Sequence, residues 1–250
     1  LARPGGGRLL ARILLGLAFV LVSAFGDIEG AEPHAREALT LARQSADRVI
    51  ELRALIVLGL LANRARNFEE ATARNEEVIA LAQRIGNRER ESSGLNNLAI
   101  VYKEQGDYGK ALALAEAALA MKQESGALPH IVNARGTVGE IYLGLDELEK
   151  ARDLLTSSLR LGRQIGYVPA ILGSLVTFAQ LAAREGKPSI AIHWLGLVQN
   201  HPATDPETRQ LAVKALVQMN LDPSEIEPEL AAGAALDLDT VVQEILDGKW

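Results

Sequence analysis

Alanine recurs at a fixed step in this chain: Ala31, Ala71, Ala111, Ala151 and Ala191 are spaced 40 residues apart. A period of this size restricts the fold to units that stack on their neighbours in sequence, because no single unit can bury its own apolar face. Each alanine closes a similar tetrapeptide: Ile28-Glu-Gly-Ala31, Phe68-Glu-Glu-Ala71, Tyr108-Gly-Lys-Ala111, Leu148-Glu-Lys-Ala151 and Pro188-Ser-Ile-Ala191. Two further columns keep the step. Twelve residues ahead of the alanines stand Phe19, Gly59, Ala99, Gly139 and Ala179, small in four of the five, and Gly86, Gly126 and Gly166 are again 40 apart.

The spacing inside a unit predicts two helices. Leu95, Leu98, Ala99 and Tyr102 follow i, i+3, i+4, i+7, one apolar stripe at helical period. The chain turns at Gly106-Asp107, and a second stripe runs through Ala111, Leu112, Ala115, Ala118 and Leu119. Gly126 falls where a helix C-terminus needs a residue able to turn left-handed. A Gly or Ala on the first helix facing an Ala on the second lets the two backbones approach. Apolar residues make up 48% of the chain but aromatics only 4%, so the core must be Leu, Ala, Ile and Val, mixed with strong helix formers.

Leu98-Ala99, Tyr102, Gly106-Asp107-Tyr108 and Ala111 resemble the tetratricopeptide pattern, and Leu95 to Tyr102 is similar to its kinesin-light-chain style. The unit exceeds the usual length of about 34 residues. Its extra residues fall late in the second helix and the exit turn, Leu81 to Asn87 for instance, as in the longer repeats of MalT-like bacterial regulators. HEAT repeats share the length but not this Ala, Gly and Tyr spacing. The resemblance implies an all-α, right-handed superhelical solenoid of about five antiparallel helix hairpins with a C-terminal helical cap. The expected divisions are a linker over 1–7, repeats over 8–203 (8–47, 48–87, 88–127, 128–167 and 168–203) and the cap over 204–250.

Both ends carry further signals. Arg8 and Arg12 precede an apolar run, Ile13 to Phe25, that imitates a secretory peptide; its thirteen residues are too few to span a bilayer. The repeat register places it instead as a buried first helix, with Gly26-Asp27 as its turn. So apolar a helix is unusual at the end of an array, and the chain opens on Leu1 rather than Met; the expectation is that another repeat or domain precedes it. After His201 the period stops. Thr204-Asp205-Pro206-Glu207, with Glu able to cap in return, and Asp222-Pro223-Ser224-Glu225 are helix starts, predicting helices near 206–219, 223–232 and 239–247. Ala232-Gly233, Leu236, Leu238 and Val241 to Leu246 resemble the closing segment of large bacterial signalling proteins. In those, a LuxR-type DNA-binding domain, a nucleotide cyclase or a Ser/Thr kinase accompanies an ATPase module, so the resemblance implies the C-terminal part of a regulator.

The residues supply no catalytic set. Cysteine is absent, which excludes disulfides and thiolate metal sites and suits a cytoplasmic location. A net charge of -6 argues against nucleic-acid binding. Gly5-Gly6-Gly7-Arg8 lacks the Lys and Ser/Thr of a phosphate loop and reads as linker. His34, His130, His193 and His201 lack metal-site spacing, and His193 beside Trp194 reads as packing. Glu69-Glu70 and Glu76-Glu77 read as solvated helix faces. Neither cofactor, metal nor enzymatic activity is expected.

The candidate site is the inner face lined by each unit's first helix. In the tetratricopeptide register this face carries Arg53, Asn63, Arg64, Ser93, Asn96, Lys103, Asn133, Glu140, Gln180 and Arg184. Asn can donate to and accept from a peptide bond at once, and Arg or Lys can hold a carboxylate. The Lys-Asn-Asn-Lys-Arg clamp of chaperone-binding relatives is not reproduced, so C-terminal carboxylate capture is not implied. The function expected is a protein- or peptide-binding scaffold or sensor module of a bacterial signalling or transcription regulator, contacting no membrane. The alternative is a structural spacer, or self-association through the apolar first helix.

Overall fold

The computed structural model describes residues 6–250, which form thirteen helices and no strand. They fall into two compact units, the first ending at Ser125 and the second running Gly126–Trp250. The first holds α1 (Gly6–Ala24), α2 (Ile28–Gln44), α3 (Arg48–Arg64), α4 (Phe68–Arg84), α5 (Arg88–Glu104) and α6 (Tyr108–Ser125). The second holds α7 (Leu128–Gly144), α8 (Leu148–Gln164), α9 (Val168–Arg184), α10 (Pro188–Asn200), α11 (Pro206–Gln218), α12 (Pro223–Ala234) and α13 (Leu238–Leu246). Of the residues expected as linker, Gly6 and Gly7 already belong to α1, and Leu1 to Gly5 lie outside the described residues.

From α2 to α10 a helix begins every 20 residues, at 28, 48, 68 and onward to 188. Each turn passes one residue through the left-handed region: Gly26, Ala46, Arg66, Gly86, Gly106, Gly126, Asp146, Gly166 and Gly186. The next residue closes the turn. Asn87 N–H donates to the Ala82 carbonyl at 2.8 Å and Asp107 N–H to that of Tyr102 at 2.9 Å, the bond that satisfies a helix's last carbonyls. Ahead of α2 to α6 the same residue also caps the following helix, as Asp27 does for Gly30 N–H at 2.8 Å and Asn87 for Arg90 N–H at 3.0 Å, whereas Ala127, Glu147, Tyr167 and Lys187 give no side-chain cap. In those turns one residue ends a helix with its backbone N–H and starts the next with its side chain.

Within the first unit α1–α2, α3–α4 and α5–α6 are hairpins, and α2–α3 and α4–α5 pack in turn. The repeated alanines Ala31, Ala71 and Ala111 are fully buried. The small-residue column, however, has its nearest neighbour one turn beyond them. A Cβ on Gly59 would lie 3.2 Å from Asn75, and in the second unit a Cβ on Gly139 would lie 2.8 Å from Leu155. A large side chain on the second helix is admitted by a glycine on the first. Asn75 is 1% exposed; its amide nitrogen reaches the Ala71 carbonyl at 2.8 Å, while its Oδ1 is buried without a partner.

The expectation that Ile13 to Phe25 forms a buried helix needs correction. The helix begins at Gly6 and runs 19 residues, long and apolar enough by composition to cross a membrane. Only one face is covered: Ala11, Leu14, Leu15, Ala18 and Val22 pack on α2 and α3, whereas Leu10, Ile13, Leu17, Phe19 and Val20 are exposed. Among the described residues, α1 packs only on α2 and α3.

In the second unit α7–α8 and α9–α10 are hairpins and α8 packs on α9. The last three helices do not form another hairpin. Helix α11 packs on α9 and α10, α12 crosses α10, and α13 reaches α8. Phe178, fully buried, meets Trp194 and the C-terminal Trp250 edge-on at 6.4 and 5.9 Å. Lys187 Nζ fastens the Trp250 carbonyl at 3.0 Å.

Candidate functional site

The second unit contains a cleft of about 420 Å³ between α7, α9 and α11. Helix α7 contributes Asn133, Gly136, Thr137 and Glu140, which recur at three- and four-residue spacing and so share one face. Helix α9 contributes Ala170, Gly173, Ser174 and Thr177 in the same manner, with Tyr167 at its N-cap. Helix α11 closes the third side with Asp205, Glu207, Thr208 and Leu211. Gly136 and Gly173 have no neighbour within 4 Å of an added Cβ, so the cleft is wide partly because two side chains are missing there.

Its polar groups are unevenly satisfied. Asn133 Nδ2 lies 3.5 Å from the Tyr167 hydroxyl, and the Thr137 hydroxyl donates back to the Asn133 carbonyl at 3.2 Å. Asp205 caps α11, accepting from Thr208 N–H at 2.9 Å and from its hydroxyl at 2.7 Å. Partial burial pushes the Asp205 carboxyl up, but the bonds from Thr208 outweigh it and hold it below the ordinary aspartate range. The Thr208 side chain thus joins this cap beside its own N–H. Ser174 and Thr177 are only 6% and 3% exposed, and their hydroxyls make no hydrogen bond among the described residues.

Of the ten residues expected on the inner face, Asn133 and Glu140 line this cleft. Gln180 and Arg184 sit further along α9 and do not line it; Arg184 reaches Asp146 at 3.2 Å instead. The other six belong to the first unit, on α3 and α5. There Arg64 donates to the Val22 carbonyl at 3.1 Å, tying α3 to the end of α1, and Ser93 bonds the Glu89 carbonyl of its own helix at 2.9 Å. Arg53 is exposed and Lys103 half-buried. Asn63 and Asn96 each keep a buried Oδ1 with no hydrogen-bond partner among the described residues.

Tyr167, Ser174, Thr177, Asp205 and Thr208 were not among the expected residues. A signal for one of them existed: Thr177, like Thr137 40 residues earlier, stands two places before the small-residue column. Nothing in the spacing places α11 beside α9. Among the described residues no cluster of His, Cys, Asp or Glu is arranged to hold a metal.

A family model described as the MalT-like TPR region matches residues 12–220. No curated protein matches the chain by sequence. Among solved structures, aspartyl phosphate phosphatase F from Bacillus subtilis is similar with a TM-score of 0.68 and 14% identity, over 94% of this chain and 59% of that one. A STAND signal-transduction ATPase with a tetratricopeptide repeat sensor, from Pyrococcus horikoshii, gives 0.62 and 15%, over 98% of this chain and 39% of that one. BtubC (BKLC) from P. vanneervenii gives 0.62 and 17%, over 87% and 84%. At these identities the likeness is one of fold. This chain spans 59% of the phosphatase and 39% of the ATPase, less than two thirds of either.

Proposed function

The chain belongs to the MalT-like TPR family, and from that premise we propose that it is a protein- or peptide-binding sensor module of a bacterial signalling or transcription regulator. Repeat folds of this kind are generally non-catalytic scaffolds that bind proteins or peptides. The observation that carries the reading is the cleft of the second unit, whose α7 and α9 walls present an open inner face. The sensor role printed for the Pyrococcus relative supports it. In this reading the module works in the cytoplasm without nucleic-acid contact of its own, its repeats span 8–203 and 204–250 closes the array. The cleft with Asn133 and Glu140 is the principal contact. Arg53, Asn63, Arg64, Ser93, Asn96 and Lys103 form a separate contact on the first unit, and Gln180 and Arg184 serve α9 beyond the cleft.

Filling the cleft tests this. Gly173→Leu places a side chain where the structure has open space and replaces a poor helix former, so stability should hold or rise by about 0.5–1 kcal/mol. Peptides selected by display on the full chain should lose at least about tenfold in affinity for this variant. Selected peptides that bind both proteins equally would remove the cleft from consideration.

A second reading, self-association, is favoured by the exposed stripe of Leu10, Ile13, Leu17 and Val20 on α1. Light scattering should then show mass rising with concentration, and Leu17→Glu should abolish the rise. A constant monomer mass excludes it.

A further inference from the structure

We propose that segment 238–250 is a built-in, displaceable ligand: its helix and Trp250 fill a docking site on α8, α9 and α10 that takes a partner protein's helix of the same pattern. None of the residues that hold Trp250 lines the cleft between α7, α9 and α11, so the inference goes beyond the function proposed above.

The segment has the pattern of a helix that lies in a groove. Leu238, Val241, Val242, Ile245 and Leu246 stand at i, i+3, i+4, i+7 and i+8, one continuous apolar stripe. Val241, Val242 and Ile245 are buried, and α13 packs on α8. Gly248 then turns left-handed and Lys249 N–H donates to the Glu244 carbonyl at 3.0 Å, which ends the helix and brings Trp250 back to α9 and α10. There the indole lies over the Arg152 guanidinium at 4.7 Å and the Lys187 ammonium at 4.6 Å. Its centroid stands 5.9 Å from that of Phe178 and 5.2 Å from that of Trp194.

Two observations mark Trp250 as a docked ligand rather than a piece of core. First, its seat is complete without it. Glu185 pairs with both Arg152 and Lys187, and Phe178 meets Trp194 edge-on, so the cations and rings of the seat are held by one another. Second, Trp250 is only half-buried, and its indole N–H donates no hydrogen bond among the described residues, whereas a tryptophan built into a core usually finds one. The tether decides which occupant can displace it. Residues 235–237 alone join α12 to α13, and so short a link holds the segment at an effective concentration of about millimolar. An identical segment of a second copy cannot compete at micromolar concentration, but a partner helix that makes further contacts can. The occupant is therefore a partner's amphipathic helix with an indole four residues beyond its apolar stripe, and docking it frees 238–250.

The test is fluorescence anisotropy of a labelled peptide of residues 237–250, and of the same peptide carrying Trp250→Ala, titrated with the full chain. The Trp250→Ala chain, whose own segment is loosened, should bind the tryptophan peptide at least about tenfold more tightly than the wild-type chain does. It should bind the alanine peptide at least about tenfold more weakly than the tryptophan peptide. Hydrogen exchange on the unaltered chain gives an independent reading: α13 amides should exchange at least about tenfold faster than those of α9, through a local opening. Equal protection of α13 and α9, equal binding of the peptide by both chains, equal binding of both peptides, or no binding at millimolar concentration overturns the proposal. So does loss of α9 protection in the Trp250→Ala chain, which would make Trp250 part of the core. A mass that rises with concentration in the wild-type chain but not in the Trp250→Ala chain would give the site to a second copy and overturn the assignment to a partner protein.

Discussion

Phe178→Ala should destabilise the second unit by about 3–5 kcal/mol, a large part of the 5–15 kcal/mol that holds a typical domain together. Phe178 is fully buried in the cluster that joins α8, α9, α10 and α13. Its ring meets Trp194 and Trp250 at 87° and 85°, the edge-to-face geometry in which the positive rim of one ring meets the negative face of another. Truncation leaves a cavity between two indoles that cannot close it without moving α10 and the C-terminus together. These are the chain's two tryptophans, so denaturant unfolding followed by indole emission reads this cluster directly. A loss below about 1 kcal/mol would show that the cluster contributes little beyond ordinary surface packing.

Gly233→Ala should be the costliest single-methyl addition in the chain. A Cβ at that position would stand 2.1 Å from the His193 carbonyl oxygen and 2.7 Å from its Cα, and one at Gly196 would stand 2.4 Å from the Leu230 carbonyl oxygen. Both obstacles are backbone, so no rotamer change relieves them; α12 must lift off α10. The cost is at least the 1–3 kcal/mol usual for overpacking, and the contact between the His193 ring nitrogen and the Glu229 carboxyl across the same crossing is lost with it. Hydrogen exchange should speed up in α12, while Gly136→Ala, with open space around it, should stabilise by about 0.5–1 kcal/mol. Unchanged protection of α12 in Gly233→Ala would mean that the crossing is not held by this contact.

How legible these features were depended on the range of the forces behind them. The three C-terminal helices start where Asp205, Asp222 and Asp237 cap them, and two of those starts are visible as Asp-Pro pairs. The turns at Gly86, Gly126 and Gly166 announce themselves because glycine adopts the left-handed conformation without strain. Their counterparts at Ala46, Arg66 and Asp146 do not, since the array forces an ordinary residue into the same conformation. The candidate site was half legible: Asn133 and Glu140 follow from repeat register, but Ser174 and Thr177 line a cleft only because α11 stands beside α9.

By itself, the sequence determined the paired helices, their 40-residue period and the family's repeat, because caps, turns and apolar stripes act between residues a few places apart. The tertiary structure alone decided that α1 leaves an apolar face exposed, that α12 meets α10 with a glycine of each helix against the other's backbone, and that α11 walls off a cleft beside α7 and α9. Those outcomes depend on which surfaces of distant helices can approach without steric conflict, and a local pattern does not encode that choice.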